Sequence, residues 1–94
     1  MRQHSTAETV DQLRSWLIET VAEYAEMDPA TVVATAPFAE YGLDSVHALA
    51  LCGDIEDKFG VIVEPTLLWD HPSIEALVQH LSALPEVRAG AGPT

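Results

Sequence analysis

Apolar residues recur along this chain at helical spacing in three places. Val10, Leu13, Leu17, Val21 and Tyr24 form the first stripe, with Ile18 and Ala25 alongside. Asp11, Glu19, Glu23 and Glu26 fall outside that stripe, as expected of a solvated face. Ser5 and Glu8 have capping-box spacing just before it, so the pattern predicts a helix over about residues 6–26. Asp28-Pro29 ends it, because proline disfavours helix at the residue before it. In the second stripe Ala48, Leu51, Cys52, Ile55 and Phe59 fall at i, i+3, i+4, i+7 and i+11. That helix is expected to start at Asp44 or Ser45 and to close at Gly60, a C′ glycine. Ile74, Leu77, Val78, Leu81 and Leu84 form the third, over about residues 73–84, with Ser73 as its cap and Pro85 as its stop.

The segments between the stripes are less regular. Residues 27–44 hold Pro29, Pro37 and Gly42, yet Val32, Val33, Phe38, Tyr41 and Leu43 are apolar and are expected to tuck into the core. A connection this long in a small domain is usually functional. Val61-Ile62-Val63 reads as an extended, buried loop, since it has no second strand to pair with. Pro65 to Trp69 suits a single helical turn, and His71-Pro72 breaks the chain again. The predicted architecture is all-α: a small bundle of three main helices and one short helix, with a long first loop. Residues 1–5 and 85–94 read as flexible ends around a domain at 6–84.

The second helix carries an apolar strip nearly opposite its core stripe, made of Val46, Leu49, Ala50 and Gly53 and flanked by Glu56 and Asp57. A small bundle has nothing to bury there, so an acid-edged apolar strip is a candidate docking surface. Charge narrows the partners. Across 94 residues, 15 Asp and Glu oppose 4 Lys and Arg, a net charge of −11. Such a surface repels phosphate backbones and anionic lipid, which argues against nucleic-acid or membrane partners and for basic ones. No apolar run approaches a membrane span and no secretory segment is evident, so a cytoplasmic protein is expected.

Resident chemistry is sparse. The lone Cys52 lies on the core stripe and reads as a small buried apolar residue, with neither a disulfide nor a thiolate zinc site available. His4, His47, His71 and His80 show no metal-ligand spacing. Asp44, Ser45 and His47 resemble a triad only in name, because residues two apart on a helix point in different directions. A small enzyme is therefore the weakest reading.

One short motif remains. In Gly42-Leu43-Asp44-Ser45, glycine permits a positive φ on the approach, Asp44 suits the N-cap and Ser45 begins the helix. Followed by Val46, these residues resemble the attachment motif of acyl carrier proteins. Pro37-Phe38-Ala39-Glu40-Tyr41 resembles that family's loop lead-in, and Leu67 to Ser73 resembles the short third helix and the entry to the fourth in carrier domains of type I polyketide synthases. Two positions depart from the pattern: Val46 replaces the usual leucine, and Ala50 stands where many relatives carry glutamate. Leu43-Asp44 before the serine tilts the resemblance away from peptidyl carriers of nonribosomal synthetases, the neighbouring reading.

The resemblance implies that Ser45 carries 4′-phosphopantetheine, derived from coenzyme A and installed by a phosphopantetheinyl transferase. It implies a monomeric carrier that ferries thioester-bound acyl or polyketide intermediates among partners such as a ketosynthase and an acyltransferase or adenylating ligase. Asp44, Val46, Leu49, Glu56 and Asp57 are the candidate docking residues. A protein of another class remains open beside it: an acidic interaction module that has the same fold and bears no cargo.

Overall fold

A computed structural model describes residues 6–84 and Val87, with side chains from residue 10 onward. Among the described residues four α-helices follow one another: α1 (Thr6–Ala25), α2 (Ser45–Phe59), α3 (Leu67–Asp70) and α4 (Ile74–Leu81). Two short 3-10 turns, Pro29–Thr31 and Phe38–Tyr41, shape the long connection between α1 and α2. Among the described residues there is no strand, only an isolated bridge between Pro37 and Ser73.

Local chemistry places the ends of these helices. At the end of α1, Glu26 adopts φ 57°, the left-handed conformation glycine usually takes. Its N–H donates to Glu23 O at 3.2 Å, and the Met27 N–H donates to Ala22 O at 3.0 Å, which closes a Schellman motif. Gly60 ends α2 at φ 69°, as its position predicts. Ser73 caps α4, its Oγ accepting the Ala76 N–H at 3.1 Å. The Ser5 cap assigned to α1 lies outside the described residues.

The three stripes meet in one core. Leu13, Leu17 and Val21 of α1, Leu51, Cys52 and Ile55 of α2, and Ile74, Leu77, Val78 and Leu81 of α4 are all buried. Trp16 and Phe59 cross edge-to-face at 5.5 Å between α1 and α2. Arg14 joins α1 to α4 through a two-pronged pair with Glu75, both contacts at 2.9 Å. The fork geometry fixes orientation as well as charge, and it lowers the Glu75 carboxyl pKa. Burial pushes the Cys52 thiol pKa up, in keeping with a packing role.

The long loop is pinned at its far end. The Phe38 N–H donates to Pro72 O at 2.7 Å and the Glu75 N–H to Ala34 O at 2.9 Å, tying the loop to the α3–α4 corner. Phe38 enters the core beneath it.

Four expectations change. Val33 does not tuck in. It is 56% exposed. The Tyr41 hydroxyl holds its backbone instead, accepting the Val33 N–H and donating to Val33 O, so the valine side chain turns outward. The 61–63 loop is extended but not wholly buried: Val61 lies inside while Ile62 is 91% exposed, because successive side chains of extended backbone face opposite ways. The last helix stops at Leu81 rather than 84, with Ser82 to Leu84 continuing in turns. Val87, outside the 6–84 boundary, is buried in the core.

Tyr24 offers a test of the α1–α2 contact. Its hydroxyl donates to the Asp54 carboxylate, and that hydrogen bond, followed by burial, raises its pKa to about 12. A raised phenol pKa contributes stability that is complete below the unfolded value near 10 and is lost as pH rises through about 12. Asp54→Asn should bring the Tyr24 midpoint back toward 10 in an ultraviolet phenolate titration. An unmoved midpoint would show that the bond is not made in solution.

Candidate functional site

The long loop delivers the chain to α2 through three consecutive devices. Gly42 takes φ 74°, and its N–H returns to Ala39 O and Phe38 O. A side chain there would meet no atom within 4 Å, so it is the left-handed backbone, not crowding, that calls for glycine. Leu43 follows, half-buried against the core. Asp44 then caps α2, its carboxylate accepting the His47 N–H at 3.1 Å while its carbonyl accepts the Ala48 N–H. Hydrogen bonds from the His47 and Val46 N–H groups lower the Asp44 pKa, the former contributing most.

Ser45 is thereby the first residue of a fifteen-residue helix, and it is exposed. The cap leaves it free of a structural task, since Asp44 does the capping. It has no committed base either. The nearest imidazole, His47, places its Nδ1 2.8 Å from Asp44 Oδ1 and sets its ring edge against Tyr24, centroids 5.9 Å apart. The helix N-terminus is a weaker anion site than the sequence alone suggests. Asp44 has already taken the His47 N–H on its side chain, so the helix dipole and the remaining first-turn N–H groups are what is left for an anion.

Beside Ser45 lies an apolar groove with a cavity of about 120 Å³, walled by Phe38, Leu43, Ala48, Leu68 and Trp69. Asp44 and His47 also border it.

The outer face of α2 is open. Val46 is 70% and Leu49 57% exposed, and Ala50, Gly53 and Asp57 are exposed with them. Glu56 differs from its neighbour. It is half-buried, and its Oε2 accepts the Val63 N–H at 3.1 Å, which ties the 61–64 loop back to α2. Besides Val33, two exposed apolar residues escape the sequence pattern: Trp69 on α3 and Ile62. The all-apolar run at 61–63 carries no apolar/polar alternation to mark Ile62 as outward, and the single turn of α3 offers no signal for Trp69. His47 as a capping partner was legible, because Asp44 and His47 have capping-box spacing with histidine in place of Glu or Gln.

The family model described as the phosphopantetheine attachment site matches residues 15–81, which spans α2, α3, α4 and most of α1. The chain belongs to that family, and 4′-phosphopantetheine is its cofactor. Its relatives narrow the class further. The chain is 36% identical over 75 residues to the cluster 41 polyketide synthase of Aspergillus flavus, covering 80% of this chain and 7% of that one. It thus corresponds to one small piece of such a synthase. The acyl carrier protein LipD from Actinoplanes friuliensis is 46% identical, with 95% of this chain and 97% of that one aligned and a TM-score of 0.70. A free-standing peptidyl carrier protein from Acinetobacter baumannii is 39% identical, with 82% and 91% aligned and a TM-score of 0.68. The protein is an acyl carrier domain built on the fold its sequence implied.

No described helix is long and apolar enough to cross a membrane.

Proposed function

We propose that Ser45 is the attachment point of the 4′-phosphopantetheine arm, and that the domain carries acyl or polyketide intermediates on it between the enzymes of a polyketide or fatty-acid-like pathway. The observation that carries this reading is an exposed serine at the first position of α2, held by the Gly42 turn and the Asp44 cap inside the family's matched segment. The residues fit the group: the hydroxyl faces solvent, and the helix dipole favours the phosphate beside it.

Attachment joins Ser45 Oγ to the phosphorus nearest pantetheine in coenzyme A. The pyrophosphate bond breaks, adenosine 3′,5′-bisphosphate leaves, and the serine proton passes to a base of the transferase. The absence of a committed base at Ser45 accords with a reaction catalysed from outside. Once bound, the arm supplies a terminal thiol that holds cargo as a thioester. The chain's own residues hold the site open and present a docking face. Asp44 and Asp57 steer basic partners, while Val46 and Leu49 give a small apolar contact. Glu56 contributes with the oxygen that Val63 does not use. The partners are a phosphopantetheinyl transferase, a ketosynthase and an acyltransferase or adenylating ligase, met in the cytoplasm by a monomeric carrier that is not itself an enzyme.

Likeness to a peptidyl carrier favours one second reading, in which an aminoacyl group is the cargo. The test is intact mass after incubation with coenzyme A and a broad transferase. One arm should be added, and it should map to the peptide containing Ser45. No addition, or addition elsewhere, would overturn the proposal.

A further inference from the structure

Gly53 is the residue of α2 that the fold leaves unexplained. It lies well inside the helix and is exposed. In a helix interior only proline is worse than glycine, because glycine's backbone has the most freedom to lose. Two structural needs can require glycine, and neither applies here. Its φ is not positive, unlike that of Gly42 and Gly60. A Cβ at this position would meet nothing within 4 Å. The helix thus bears a destabilising residue where alanine fits.

The position of Gly53 on the helix shows what the gap faces. At about 100° per residue, Val46, Ala50, Gly53 and Asp57 fall within an arc of about 60°, the centre line of the outer face. All four are exposed. On one side of Gly53, Asp54 is turned to α1 by its hydrogen bond with Tyr24. On the other side, Glu56 is turned to the 61–64 loop by the Val63 N–H, and the residue before Val63, Ile62, is 91% exposed. The acids flanking Gly53 are therefore engaged within the fold. What remains along the line is a gap, with exposed Val46 and Leu49 toward Ser45 and exposed Asp57 one turn the other way. Lys58, the one Lys or Arg of α2, lies about 140° around the helix from Gly53.

We propose that Gly53 is a specificity-determining residue for modification of the carrier: the gap over it seats a large apolar side chain of the phosphopantetheinyl transferase, beside a lysine or arginine that meets Asp57. This rests on Ser45 being the attachment point. Eight residues of helix put Gly53 about 12 Å from Ser45 along the axis, within the footprint of one docked enzyme. Charge and polarity set the chemistry of the occupant. The chain carries a net charge of −11 and Asp57 is exposed on the line through Gly53, so the complementary surface is basic. Val46 and Leu49, 70% and 57% exposed, make the contact beside the gap apolar. A side chain added at position 53 fills the space the partner's side chain takes and holds the partner off Val46 and Leu49. The glycine gives up helix stability for close approach.

The experiment compares Gly53→Ala and Gly53→Leu with the wild type. Alanine and leucine are strong helix formers of similar propensity, so each should raise Tm by about 2–8 °C. They differ in size. Rates of arm addition are measured against carrier concentration, with coenzyme A saturating and a broad transferase. KM for the carrier should rise about fourfold for alanine, the effect of one methylene's worth of contact, and about tenfold or more for leucine. The kcat should stay unchanged, because the docking contact is the same before and during transfer. Equal losses in the two variants would trace the effect to helix stiffness and overturn the inference. A leucine variant modified at or above the wild-type rate would overturn it as well. So would a lower Tm in Gly53→Ala, since the glycine would then serve the fold. In each case, arm addition to the wild type leaves Ser45 as the attachment point. A wild type that takes no arm removes both readings.

Discussion

Leu51→Ala should destabilise the domain by about 2–5 kcal/mol, while Leu49→Ala should cost under about 0.5 kcal/mol. The two leucines are two residues apart on α2, in the same helix and with the same chemistry. Leu51 is 1% exposed and belongs to the same buried core cluster as Leu13, Ile55 and Leu77; Leu49 is 57% exposed. Leucine and alanine differ little in helix propensity, so the contrast isolates burial. Truncating Leu51 loses the transfer free energy of the side chain and leaves a cavity that close-packed neighbours fill only in part. Domains of this size are stable by only about 5–15 kcal/mol, so a loss of this order lowers Tm by about 8–40 °C. Urea unfolding followed by helical circular dichroism reads both variants. Equal losses would mean that the two faces of α2 are not divided as described, and the docking face would lose its basis.

That division was legible because it depends on periodicity and on caps. Asp44, Gly60 and Ser73 act within three or four residues of themselves, so spacing alone marks the helix ends. The stripes of α1, α2 and α4 needed only the 3.6-residue repeat. Irregular segments gave way to contacts that no local rule supplies. Val33 points outward because Tyr41, eight residues on, takes both of its backbone groups. Glu56 looked like one more docking acid until the Val63 N–H claimed one of its oxygens. Val87 joins the core beyond the proline that stops the last helix pattern, because the bundle still has apolar surface to cover there. At the site, the motif pointed to Ser45 and its cap, but the interplay of His47, Tyr24 and Asp44 emerges only when α1 is packed against α2.

The acidity divides along the same line. Glu75 is engaged by Arg14 and Asp54 by Tyr24, both within the fold. Asp44 and Asp57 are exposed on the helix that begins with Ser45. A partner approaching the outer face of α2 meets a carboxylate near each end of an apolar strip rather than a uniform negative surface. Screening by salt should therefore weaken encounter there more than it weakens the fold.

Ser45→Ala should abolish addition of the arm and leave the fold intact. In many helices a serine at the start is also the cap, and its loss confounds chemistry with unfolding. Here the two jobs are separated by one residue. Asp44 supplies the capping oxygen, at 3.1 Å from the His47 N–H, and Ser45 is already inside the helix. Alanine is the best helix former and has no polar group to desolvate, so the variant should match or slightly exceed wild-type stability, by at most about 0.5 kcal/mol. Asp44→Ala makes the complementary case. It removes the cap and should cost about 1 kcal/mol in the same urea titration while keeping the serine hydroxyl. Intact mass with coenzyme A and transferase then separates chemistry from fold. Ser45→Ala should stay unmodified at full stability, and Asp44→Ala should be modified, more slowly, at reduced stability. An arm appearing on Ser45→Ala would move the attachment point to another hydroxyl. A large loss of stability in that variant would show that Ser45, and not Asp44, holds the start of α2.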